Sequence, residues 1–136
     1  MNIYTYTEPE IYLKDMLYMK KRKNPQFSLR AWARLLGMKT HTPLQLMLAS
    51  KRPIPKKYIP LFGKSLTLSL DEIEYLELMI DHQRAKNPKA KELAKKKMLD
   101  VRNARLGIDT TEGVEVPDEL MNKSTEIASE IINLNN

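Results

Sequence analysis

The 136-residue chain has no cysteine, which excludes disulfides, thiolate metal sites and cysteine nucleophiles. It has two histidines, His41 and His82, too far apart in sequence to suggest a metal pair, and only four glycines, none grouped into a phosphate-cradling loop. No apolar run approaches the ~20 residues that a membrane-spanning helix needs. The start, M-N-I-Y-T-Y-T-E-P-E, lacks the basic and greasy segments of a signal peptide, so a bacterial-type cytoplasmic location is expected. Aromatics are few, one Trp, six Tyr and two Phe, too few for a stacking platform along a nucleic-acid single strand. Without clustered carboxylates either, no catalytic constellation emerges, and the chain is expected to be neither an enzyme nor a cofactor or metal binder.

The most informative absence is of acids. Between Asp15 and Asp71 there is none, while Lys20, Lys21, Arg22, Lys23, Arg30, Arg34, Lys39, Lys51, Arg52, Lys56, Lys57 and Lys64 all fall there. A merely solvating surface mixes both signs, so this segment points to a polyanionic partner. Residues 71–87 reverse the sign and residues 88–106 are basic again. The last thirty carry seven acids against Lys123.

What is present is helical punctuation. Apolar spacing predicts a first helix over 11–23, ended by Asn24-Pro25. Ser28 is placed to cap a short helix over 29–36, closed by Gly37. A third helix is expected from 40 or 42 to 50, with Pro43 in its first turn. A fourth starts near 55 and is bent or interrupted by Pro60. Ser69 with Glu72 forms a capping box that opens a helix to about 86, with Leu70, Ile73, Leu76 and Ile80 on one face and Tyr75, Leu78 and Met79 off it. A helix apolar on several sides is expected between two neighbours. Pro88 opens a basic helix to 106, its stripe being Ala90, Leu93, Ala94, Met98, Val101 and Ala104. The chain therefore divides into an all-α unit over 1–106 and an acidic extension over 107–136. The extension carries one amphipathic helix over 117–134, whose Leu120, Ile127 and Leu134 recur every seven residues as a dimer seam. The alternatives for this segment are packing back on the domain or covering the basic face.

Function concentrates in S-L-R-A-W-A-R-L-L-G-M-K-T-H-T-P-L-Q-L-M-L, residues 28–48. Two short helices crossing steeply need a small residue at the crossing and a glycine in the turn. Ala33 and Gly37 fit, with Trp32, Leu36, Met38, Leu44, Met47 and Leu48 as apolar flanks. This is the pattern of a helix-turn-helix. The runs K-R-K-N-P-Q-F-S-L-R-A-W-A-R-L-L-G, A-S-K-R and S-L-D-E-I-E-Y-L-E-L also resemble the N-terminal half of a bacterial paralogous family of repressor-like (lambda-repressor-type) helix-turn-helix proteins, over about residues 11–106. The resemblance implies a domain of about five helices that regulates transcription. Two positions depart from it: Ser50 replaces a connector glycine, and Leu46 stands where a polar base-reader is expected.

The expected partner is double-stranded DNA, bound by a dimer reading two half-sites. Thr40, His41, Thr42 and Gln45 are the candidate base contacts, and Ser28, Arg30, Lys39, Lys51, Arg52 and Lys56 the candidate phosphate contacts. The alternative is an adaptor whose apolar third helix, through Leu46, holds a protein partner. Burial of Leu46 favours DNA binding; its place in an exposed apolar patch favours the adaptor.

Overall fold

The computed structural model describes residues 2–108, together with the backbone of Ala128–Ser129 and Asn133–Leu134. Residues 2–108 are all-helical: α1 Pro9–Lys23, α2 Leu29–Leu35, α3 Thr42–Leu48, α4 Ile59–Ser65, α5 Leu70–Arg84 and α6 Pro88–Leu106, with short 3-10 turns at Ile3–Thr5 and Lys56–Tyr58. No helix among the described residues is long and apolar enough to cross a membrane.

The ends of these helices follow from local chemistry. Ser28 Oγ accepts from Ala31 N–H at 3.1 Å at the start of α2. At its end Gly37 takes φ +76°, and Met38 N–H donates to Ala33 C=O at 2.9 Å, a Schellman closure. No atom lies near where a Gly37 Cβ would sit, so the backbone angle, not space, demands glycine there. Both halves of the Ser69–Glu72 capping box are made. Asn87 caps α6 by accepting from Lys89 and Ala90 N–H. Pro60 falls in the first turn of α4, because the preceding 3-10 turn takes up residues 56–58; the break expected at Pro60 lies ahead of it.

One core joins the elements. α1 packs on α3 and α5, α2 on α3 and α4, α4 on α5, and α6 on α5 and the N-terminal 3-10 turn. Trp32 is fully buried, edge-on to Phe62 at 5.5 Å between ring centres, and its indole N–H donates to Ser65 Oγ at 2.9 Å. Gly63 lets α4 approach α5, since a Cβ there would meet Ile73 at 2.5 Å. Tyr75, Leu76, Met79 and Ile80 are all fully buried, as expected of a helix with neighbours on several sides. The N-terminal turn, unmarked by any periodic signal, puts Ile3 and Tyr4 in the same core; the Tyr75 hydroxyl donates to Tyr6 C=O.

Three expectations are corrected. Leu70 is 84% exposed, because it is the first residue of α5 and precedes the packed turns. In α6 only Met98 of the predicted stripe is buried; Leu93 is 56% exposed, and Arg102 is buried instead. Residues 88–97 are exposed apart from Ala94, so that half of α6 finds no covering element among the described residues. Of the helix expected over 117–134, Ala128–Ser129 and Asn133–Leu134 are instead paired extended segments. Leu120 and Ile127 lie outside the described residues, and so does the side chain of Leu134, leaving the dimer seam beyond description.

Candidate nucleic-acid interface

The turn between α2 and α3 shapes the site. Ala33, 1% exposed, sits where the two helices meet, and Leu36, Met38, Leu44, Met47 and Leu48 are buried around it. With these side chains turned inward, the outer faces of α2 and of the turn carry the polar groups. Arg30, Arg34, Lys39, Thr40, His41 and Thr42 line one concave notch of about 420 Å³, whose apolar wall is Ala33 and Met38. Three guanidinium or ammonium groups thus converge with two hydroxyls and an imidazole on a single hollow.

Five of the residues marked from the sequence, Arg30, Lys39, Thr40, His41 and Thr42, meet in this notch. Gln45 is exposed on the outer face of α3, and its side chain makes no hydrogen bond among the described residues. Arg34 is the residue that the sequence reading did not assign to the site. Its i+4 spacing from Arg30 on α2 was the available signal, since it places both on one helix face. Lys51 and Arg52 are exposed in the connector that follows α3. Ser28 is occupied as the α2 cap through its oxygen, which leaves its hydroxyl proton free to donate.

Lys56 stands apart from this group. Its ammonium lies 2.8 Å from Asp81 and 3.4 Å from Glu77, and the hydrogen bond to Asp81, followed by the charges of both acids, raises its pKa above the ordinary lysine value. It is therefore held to α5 rather than offered to phosphate. Among the described residues, carboxylate partners go only to Lys56, Lys96 and Arg105. Arg30, Arg34, Lys39, Lys51 and Arg52 have none.

The connector explains the departure at Ser50. Its φ is +61°, a left-handed angle that a glycine would adopt without strain. Lys51 N–H donates to Leu46 C=O at 2.9 Å, closing α3 as Gly37 closes α2. The serine hydroxyl donates to Glu10 Oε2 at 3.0 Å, an interaction that glycine could not make. Leu46 is half-buried, and none of the large hydrophobics that stand exposed among the described residues belongs to α3.

No group of three or more His, Asp or Glu side chains among the described residues is placed to hold a metal ion. Searches of protein-family models, of curated proteins and of solved structures give no match to this chain.

Proposed function

We propose that this protein is a repressor-like helix-turn-helix regulator that binds double-stranded DNA through α3 and the notch beside it. The observation that carries this reading is the convergence of Arg30, Arg34 and Lys39 with Thr40, His41 and Thr42 in one hollow, with no carboxylate partner among the described residues for any of the three cations. Cations that exist to keep a surface soluble are usually interleaved with acids. Cations left unpaired around a short helix keep their field for an external anion, here the phosphates flanking a major groove. Arg30, Arg34, Lys39, Lys51 and Arg52 bind backbone, and Gln45 offers the one side chain on α3 suited to bidentate contact with adenine. Few base-readers beside many phosphate contacts imply modest sequence discrimination. The position of Leu46 supports this reading over an adaptor, because α3 presents no exposed apolar patch for a partner to cover.

The test is a salt titration of binding to a mixed duplex. With about five phosphates neutralised, log affinity is expected to fall against log salt with a slope of about −4 to −5. Absence of binding at low salt, or binding insensitive to salt, would overturn the proposal.

A further inference from the structure

Glu10 is one of only two charged side chains buried among the described residues, at 9% exposure. It lies in the first turn of α1 and ties three elements together. Oε2 accepts from the Ser50 hydroxyl at 3.0 Å and Oε1 from Gln83 Nε2 at 2.9 Å. The same carboxylate lines a groove of about 390 Å³ bounded by residues 7–10, the last turns of α5 and one face of α6. That volume lies within the range of small-molecule sites.

The groove is electrically two-ended. At one end stand the carboxylates of Glu8 and Glu10. Beside them Gln83 Oε1 is buried with no donor among the described residues. Flipping that amide would not help, since it would set oxygen against the Glu10 carboxylate. Burial first, then the neighbouring charge of Glu10, pushes the Glu8 carboxyl above its usual range, against a smaller opposing pull from Lys14. At the other end are Lys91 and Lys95. Lys91 Nζ donates to His82 C=O at 2.9 Å, while Lys95 has no partner among the described residues. Burial, followed by these two ammonium charges, pushes the His82 pKa down. Met98 and Leu99 supply an apolar wall.

We propose that this groove binds a small zwitterion of the amino-acid class, its ammonium at Glu8 and Glu10 and its carboxylate at Lys91 and Lys95. A swing of Gln83 Oε1 toward the ammonium supplies the donor it lacks. Each end of such a ligand meets groups of opposite charge, Lys95 among them without a partner among the described residues, and its side chain meets Met98 and Leu99. The site also has a mechanical consequence. Glu10 holds Ser50 in its left-handed angle at the end of α3, next to Lys51 and Arg52. An ammonium drawing on the Glu10 carboxylate changes that hold, which makes the ligand an effector of the α3 end. This last step rests on the DNA-binding reading; the binding site does not.

The experiment titrates the full-length protein with a panel of the common L-amino acids by calorimetry and thermal shift. At least one is expected to bind at about millimolar concentration or tighter, with its N-acetyl and carboxamide derivatives each weaker by about tenfold or more. Lys95→Glu and Glu8→Gln are expected to weaken binding similarly, without lowering the melting temperature of the free protein. Failure of the whole panel to bind at about 10 mM, or equal binding of the blocked derivatives, overturns the proposal. Hydrogen exchange reads the coupling with no DNA present. Protection of the Ser50 and Lys51 amides should change on saturation, and the change should vanish in Ser50→Ala. Binding without that change keeps the site and discards the effector role, whatever the outcome with DNA.

Discussion

Two groups of cations on this molecule meet different fates. Around the α2–α3 turn, Arg30, Arg34, Lys39, Lys51 and Arg52 have no carboxylate partner among the described residues. Against α5 and along α6, Lys56 is held by Glu77 and Asp81, Arg105 by Asp71 at 2.6 Å, and Lys96 by Asp100 at 3.2 Å. For Lys56 and Arg105 the difference arises because α5 carries the acids and the elements that pack on it come within reach, whereas Lys96 finds its acid one turn along α6. Lys56 and Arg105 lie within reach of this acidic helix and serve the fold, while the cations around the α2–α3 turn are not paired to it among the described residues. Positive charge in the sequence therefore does not by itself mark an interface; distance from the nearest acid decides.

The largest expected effect separates the two groups directly. Replacing Arg30, Arg34 and Lys39 together by Ala should weaken duplex binding at low salt by about a hundredfold or more, and should make the salt slope shallower by about 3 units. Melting temperature should barely move, since none of the three is paired with an acid among the described residues. A slope equal to the parent's would remove the notch from the DNA face.

Next in size is a test of the scaffold that presents the notch. Ala33→Leu adds bulk at the α2–α3 crossing, where the parent side chain is almost wholly buried. The cost should be about 1–3 kcal/mol, read from denaturant unfolding. A variant as stable as the parent would place the helix crossing elsewhere.

The smallest effect should come from the paired side. Lys56→Ala breaks two contacts, but the lysine side chain is 50% exposed and its partners 47% and 37%, so solvent screens both. A loss of at most about 1 kcal/mol is expected, with DNA affinity and salt slope unchanged. The sign of its pH dependence follows from the raised folded-state pKa of Lys56. Its contribution is fully present below the ordinary lysine value and is lost as pH rises through the folded value. A fall in DNA affinity comparable with that of the notch variants would return Lys56 to the interface.

Much of the fold was legible because its signals are local. Ser28, Gly37, Ser69 with Glu72, and Asn87-Pro88 fix helix ends through bonds reaching only two to five residues along the chain. Ala33 and Gly37 carried the helix-turn-helix for the same reason, the crossing being made by neighbours in sequence. Five residues of the notch were legible with it, since Arg30 to Thr42 span a single turn and its flanks.

What the chain determined alone is thus the set of helices, their caps and the polar face of the α2–α3 turn. Tertiary structure decided everything that depends on which element lies opposite. It turned Leu93 and Leu70 outward and Arg102 inward, because helical spacing defines a face but not the neighbour that covers it. It placed the N-terminal turn against α5 and α6, a contact between residues about seventy positions apart that no periodicity announces. It drew Lys56 onto Glu77 and Asp81, and it brought Glu10, Ser50 and Gln83 together from three helices' ends. Charges act through space, and only folding sets those distances.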